Sequence, residues 1–221
     1  MDLSVKLNGE SKTASVVFAE RNDFAFLEEW REKSRGILHP RCVKAIEIGE
    51  LAKRRYATHN ELLPYARTVD EFEDHIEDNP HCEVACLVFL ECAWFPDCRT
   101  IGLTHFRRTW CNNIVLDYLC SYPLTPKVLP TYPYSLKGVG PALLYFVVHV
   151  AKKYGARFLW GEATQNSFSF YKEAFELAAV DDLICAPETN FVKFSRKMEE
   201  GWEKDRPSQP DPVLEKLTLV P

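Results

Sequence analysis

Apolar and polar residues alternate from Ser4 to Glu20 on both sides of Asn8 and Gly9, a pair that favours the tight turn of a β-hairpin. The pattern predicts strands over 3–8 and 12–19. The period then changes. Phe24, Leu27 and Trp30 recur at helical spacing, with acidic residues early and basic ones late, which predicts a helix from Asp23 to about Ser34. Val43, Ile46, Ile48 and Leu51 among charged residues mark 40–57 as a further helical region, and Thr68 with Glu71 forms a capping-box start for a helix reaching Glu77. After Asn79 and Pro80 the composition shifts to β-branched, aromatic and small apolar residues. CEVACLVFLECAWF, TIGLTHFRRTW and IVLDYLCSYP, separated by turn residues, read as an antiparallel three-strand meander.

The most apolar helix-length segment follows a short glycine loop, in YSLKGVGPALLYFVVHVAKKYG from Tyr134 to Gly155. Gly138 and Gly140 allow a tight turn and close approach of a ligand, Pro141 suits a first helical turn, and the free amides and positive dipole end of the helix would face an anion. Nearly all-round apolar residues predict a buried helix, with His149 packed in the core. RFLWGEAT reads as a strand and NSFSFYKEAFELA as a helix, so strand, helix and strand form a crossover that makes neighbouring strands parallel. Two short strands, near 180–185 and 190–196, are expected to close a single domain over 1–197. A proline-rich charged tail, 198–221, follows, with disorder expected in its middle and Leu214, Leu217, Leu219 and Val220 able to dock.

With 46% hydrophobic and 27% charged residues among 221, the chain can bury a large core. The net charge of -5 argues against nucleic acid as a partner, and the short runs Lys53–Arg55 and Arg107–Arg108 read as solvated faces. No N-terminal apolar run resembles a signal peptide and no run reaches the ~20 residues that span a bilayer, so a soluble, cytoplasmic protein without a membrane partner is expected. The eight cysteines contain no Cys-x-x-Cys pair and most lie in apolar strand-like runs, so they read as small buried hydrophobes and no metal site is expected. A phosphoryl-transfer loop is disfavoured because Lys-Ser or Lys-Thr does not follow the glycines.

This order of elements over 12–197 resembles the GNAT superfamily of acyl-CoA-dependent N-acetyltransferases. The family's pyrophosphate signature (Gln or Arg, two residues, Gly, one residue, Gly or Ala) is similar to Ser135–Gly140, with Ser135 at the first position. Ile101, Gly102 and Pro123 also fit the family pattern. TQNSFSFYKEAF resembles its second motif, placing Thr164 where Asn is usual and Tyr171 at the motif tyrosine. The resemblance implies an α+β fold with a mixed sheet and helices on both faces. It also implies acetyl-CoA or another acyl-CoA as co-substrate, a small-molecule or peptide amine as acceptor, and no metal. Its cofactor positions fall on Leu119, Ser121, Ser135, Lys137, Gly138, Val139, Gly140, Thr164 and Asn166. Tyr171 matches the acid that protonates the leaving thiolate. For the base, Asp117 comes first from its strand parity with Leu119, followed by Glu162 and His105. The insertion LTPKVLPTYPY can act as a stiff linker or, through Tyr132 and Tyr134, as a wall of the acceptor site. A non-catalytic acyl-CoA-binding domain of the same fold stays open beside the enzyme, as does a homodimer.

Overall fold

The computed structural model describes residues 1–20, 23–59 and 63–205. The hairpin forms as β1 (Asp2–Leu7) and β2 (Glu10–Phe18), and Asn8 and Gly9 both take positive φ, +52° and +93°. A short 3-10 turn over 23–25 leads into α1 (Phe26–Lys33), followed by α2 (Pro40–His59). Next comes α3 (Val69–Asp78), whose first turn is closed by the Glu71 amide donating to Thr68 Oγ1 at 2.9 Å. The meander is β3 (Val84–Glu91), β4 (Thr100–Arg108) and β5 (Ile114–Ser121). A two-residue strand, β6 (Leu136–Lys137), precedes α4 (Val139–Lys153), and β7 (Phe158–Glu162), α5 (Phe168–Ala174), β8 (Leu183–Pro187) and α6 (Glu188–Asp205) complete the described chain.

The eight strands form one sheet in the order β6-β1-β2-β3-β4-β5-β7-β8, antiparallel except where β5 meets β7. Phe106 and Phe18 meet Phe146 of α4 on one face of the sheet, and Phe89 meets Phe24 and Phe26 on the other, so apolar helices cover both faces. The α+β arrangement, with meander, crossover and helices on both faces, is the one that the resemblance to the GNAT superfamily implied.

Three expectations are corrected. The segment 190–196 is not a strand but lies within α6, because Phe191, Phe194 and Ser195 bury one helical face. The same helix runs through the expected boundary at Met198 as far as Asp205, and Trp202 packs on Tyr145 at 4.7 Å between ring centroids. Leu214, Leu217, Leu219, Val220 and the tail's middle lie outside the described residues. His149 is exposed rather than packed in the core, because the rest of α4 turns its apolar surface inward around it.

The helix α4 lies close on β4 because Gly102 has no side chain. A Cβ there would meet Val139 Cγ1 at 2.6 Å and Leu143 Cδ1 at 2.9 Å. Gly102→Ala is therefore expected to cost about 1–3 kcal/mol through overpacking. In a chain of this size that lowers the melting temperature by roughly 2–12 °C. An unchanged melting curve would show that α4 shifts freely.

Candidate active site

The site starts where two strands part. Pairing between β5 and β7 covers Ile114–Leu116 against Leu159–Gly161 and stops there, so the β7-facing edge of Asp117–Ser121 is free. On the other side β5 stays paired with β4 to Ser121, with a bulge between His105 and Phe106 that leaves Asp117 as the extra residue. Such a bulge re-aims side chains and ends regular pairing, and here it coincides with the splay.

The opened edge forms one wall of a cavity of about 510 Å³. Leu119 and Ser121 come from β5, Gly140 and Pro141 from the first turn of α4, and Thr164, Asn166, Ser167 and Phe170 from the turn into α5. Across from them stand Arg41, Lys44, Ala45 and Ile48 of α2, and the start of the insertion closes the rim with Pro123, Thr125 and Val128. The left-handed Gly138 (φ +85°) caps α4, and the first intrahelical bond to reach it comes from the Ala142 amide at 2.9 Å. The amides of Val139 and Gly140 therefore precede the helical ladder, as first-turn amides do.

Leu119, Ser121, Gly140, Thr164 and Asn166 are thus gathered around one cavity. Ser135, Lys137, Gly138 and Val139 are not. The Ser135 amide donates to Asn8 Oδ1 at 2.7 Å and its carbonyl accepts from the Asn8 amide, while Leu136 and Lys137 pair with Leu7 and Lys6. Val139 turns its side chain into the core over Gly102. The start of the glycine loop is a sheet edge here, and of the predicted loop positions Gly140 is the one that lines the cavity.

Asp117 and His105 form the electrostatic centre of the splay. His105 is buried on β4, its Nδ1 lies 3.0 Å from Asp117 Oδ2, and its Nε2 lies 2.7 Å from the hydroxyl of Tyr65. Arg55 of α2 approaches Asp117 Oδ1 at 3.4 Å. Arg107 Nε stands 3.4 Å from Oδ2 without a hydrogen-bond alignment, so that contact is coulombic. Burial alone would raise the Asp117 pKa, but the His105 hydrogen bond and the two guanidiniums outweigh it and hold the carboxyl below its ordinary value. Burial lowers the His105 pKa below 6.5, with Asp117 opposing. The imidazole is therefore neutral at pH 7, donating from Nδ1 to Asp117 and accepting the Tyr65 hydroxyl proton at Nε2.

Tyr171 is buried beside Phe170, with ring centroids 4.8 Å apart, and near Cys120, and its hydroxyl makes no hydrogen bond among the described residues. Burial pushes its pKa above the ordinary 10, so it carries its proton at neutral pH. Glu162 ends β7 on the exposed face and does not line the cavity.

The insertion is more than a linker. Tyr122 Oη donates to Asp97 Oδ2 at 3.1 Å, Tyr132 Oη donates to the same oxygen, and Lys33 Nζ pairs with Oδ1 at 2.9 Å. Tyr132 and Tyr134 anchor the loop to this carboxylate and to Phe95, while the loop's first residues reach the cavity.

The basic runs are solvated faces only in part: Arg54 is exposed, but other members are held inside. Arg108 is 4% exposed and donates to the carbonyls of Cys82 and Pro80 and to Asn112 Oδ1, and Arg55 and Arg107 serve Asp117. Of the residues the sequence reading left out, Ser167 had a local signal, since its Oγ accepts from the Thr164 amide three positions earlier at 2.9 Å. Arg41, Lys44 and Tyr65 had none, because their approach depends on where α2 and its following loop dock. All eight cysteines are free thiols, and no group of three or more His, Cys, Asp or Glu could hold a metal among the described residues. No helix among them is long and apolar enough to cross a membrane.

No protein-family model matches the chain, and no curated protein matches it. Solved structures similar to it include nourseothricin acetyltransferase, at 16% identity and a TM-score of 0.33 over 47% of this chain and 65% of that one. A tandem GNAT protein from the clavulanic acid biosynthesis pathway matches at 13% identity and 0.35, over 84% of this chain and 43% of that one. The chain thus spans less than two thirds of either. The KacTA–DNA complex matches at 13% identity and 0.40, over 86% of this chain and 99% of that one. The fold stands on its own strand order, bulge and splay. The last of these matches does correct the exclusion of nucleic acid, since that matched structure contains DNA. A net charge sums over the whole chain, whereas a phosphate backbone meets only a local patch.

Proposed function

We propose that this chain transfers an acetyl or other short acyl group from acyl-CoA to an amine. The observation that carries this reading is the free edge of β5, opened by the splay inside a cavity that also holds the first turn of α4. An extended pantetheine arm can add to such an edge as a further strand, with the pyrophosphate on the first-turn amides at Gly140. Thr164, Asn166 and Ser167 supply polar atoms to the same wall, and Arg41 and Lys44 supply positive charge opposite.

With the phosphates at α4, the thioester points along β5 towards Asp117 and the vertex of the splay. There a neutral amine attacks the carbonyl carbon, backbone N–H groups of the free edge face the developing oxyanion, and the C–S bond breaks. Tyr171 is the proton donor to the departing thiolate. The proton lost by the amine goes to the His105–Asp117 pair, in which His105 is the basic member and Asp117 the carboxylate that orients it. Glu162, on the exposed end of β7, offers charge to an incoming ammonium.

Incubation with acetyl-CoA and a panel of amines, with free thiol as the readout and CoA affinity from calorimetry, tests the reading. Thiol release with at least one amine supports it. CoA binding without release under any acceptor would leave a binding domain instead, and absence of CoA binding would end both. Tyr171→Phe is expected to lower turnover about 10²-fold while CoA affinity holds, since it removes one hydroxyl that acts on the thiolate alone. Undiminished turnover would remove Tyr171 from the mechanism.

A further inference from the structure

Tyr65 lies outside every motif in the sequence, in the segment between α2 and α3, and is pinned to the sheet by a bridge to Ala85 of β3. The Ala85 amide donates to the Pro64 carbonyl and the Ala66 amide to the Ala85 carbonyl, at 2.9 and 3.0 Å, so the backbone on both sides of Tyr65 is fixed. Its ring stands edge-on to Tyr56 of α2, with centroids 4.8 Å apart, and its hydroxyl meets His105 Nε2 at 2.7 Å. Whereas His105 is 1% exposed, Tyr65 is only half-buried. The hydroxyl therefore joins a sealed imidazole to a partly open position.

The row that results is Tyr65 Oη, His105 Nε2, His105 Nδ1 and Asp117 Oδ2, with links of 2.7 and 3.0 Å. The three side chains do not themselves line the cavity, but near neighbours of the row on β5 and α2 do. Asp117 is two positions from Leu119 in that cavity, about 7 Å along the strand. Arg55, which holds Asp117, is seven positions from the cavity-lining Ile48, about 10 Å along α2. Tyr118 also faces His105, with ring centroids 6.0 Å apart, and Arg55, Tyr56, Arg107 and Cys86 complete the titratable or charged surroundings of the row.

We propose that the Tyr65 hydroxyl is the port through which His105 takes the proton of the acceptor amine, with Asp117 holding the imidazole in place. The inference rests on the transferase reading. As the amine nitrogen bonds to the thioester carbonyl carbon, its N–H proton passes to Tyr65 Oη and the proton of Tyr65 passes to His105 Nε2. The imidazolium formed keeps its Nδ1–H on Asp117. The C–S bond breaks, the thiolate takes the proton of Tyr171, and the proton held by His105 leaves through Tyr65 to water, from which Tyr171 is reprotonated. The sum is amine plus thioester giving amide plus thiol. A phenol serves in this place because it donates and accepts at one oxygen, so a proton enters at Tyr65 while another leaves it.

The test compares wild type, Tyr65→Phe, His105→Gln and the double variant for thiol release across pH, with CoA affinity measured separately. Tyr65→Phe is expected to lower kcat about 10²-fold, within the range of acid–base assistance, with CoA affinity unchanged within about twofold. The acidic limb of kcat/KM, which in wild type reports His105 below pH 6.5, should vanish in both single variants. The double variant should be no slower than the slower single one, because residues acting as a unit are not additive. Turnover in Tyr65→Phe within about threefold of wild type, an unmoved acidic limb or additive losses would each overturn the role. If Tyr65→Phe fails to fold, difluorotyrosine at position 65 keeps the shape and the hydrogen bond while making the phenol more acidic, and an unshifted pH profile there would also overturn it. Absence of thiol release in the wild type overturns the transferase reading and the relay together, an outcome distinct from loss of the relay alone.

Discussion

Gly140→Glu is expected to raise the dissociation constant for acyl-CoA at least about 100-fold, some 2.7 kcal/mol, while the chain stays folded. The two effects separate because the position sits in the first turn of α4. Its φ is not in the left-handed region, and a Cβ there would make only ordinary contacts, 3.7 Å to Leu119 Cδ2 and 3.8 Å to Phe170. A carboxylate near a helix N-terminus interacts favourably with the dipole by about 0.3–1 kcal/mol. The melting temperature should therefore hold or rise. The same carboxylate would occupy the cavity wall where the pyrophosphate is proposed to sit, replacing attraction with like-charge repulsion. Gly140→Ala is the control and should bind CoA nearly as wild type does. Calorimetry with CoA, together with thermal melting, checks both, and full affinity in Gly140→Glu would move the phosphates elsewhere.

Asp117→Ala has the largest expected effect on stability. It leaves the Arg55 guanidinium without its counter-charge, Arg107 with Glu83 alone at 3.5 Å, and the His105 Nδ1–H without its acceptor. Removing one member of a buried ion pair costs about 3–5 kcal/mol, because the remaining charges stay desolvated. Denaturant unfolding at pH 7 reads this loss directly. A change below about 1 kcal/mol would mean that solvent reaches the cluster.

The pH dependence gives a second check on the same variant. In the folded state the Asp117 pKa lies below its ordinary 3.8, so its contribution is present above that value and lost as pH falls through the folded pKa. The His105 pKa is lowered below 6.5, so the fold favours the neutral imidazole. Stability from that source is present above 6.5 and is lost as pH falls towards the folded value. Wild type should accordingly weaken in two stages on acidification. In Asp117→Ala the lower stage disappears, and the loss below pH 6.5 deepens, because Asp117 no longer supports the imidazolium.

Most of the elements were legible in the chain because each carries a local signal. Asn8-Gly9 demands the positive φ values of a tight turn, Thr68 and Glu71 write a helix start, and the apolar run after Gly140 can only be a buried helix. The misreading of 190–196 came from a short apolar pattern, Phe191-Val192 and Phe194, whose helical period is visible only when Met198 and Trp202 are taken with it. Local periodicity cannot say which of two patterns prevails when the segment docks on another element.

The sequence by itself determined the order of strands and helices as far as β8 and the glycine at the head of α4, and its resemblance to the GNAT superfamily implied the cavity positions Leu119, Ser121, Gly140, Thr164 and Asn166. The elements follow from backbone preference and from periodicity within single segments. Tertiary structure alone decided that Ser135 and Lys137 join the β1 edge, that Arg41 and Lys44 face Gly140 across a cavity, and that Tyr65, His105, Asp117 and Arg55 meet. These residues are brought together from β4, β5, α2 and the segment after it, and no pattern within any one of them fixes their distances. The splay of β5 from β7 decides the matter, since it ends the pairing after Leu116 and leaves the bulged Asp117 at the vertex, where a buried charge must gather partners from every side.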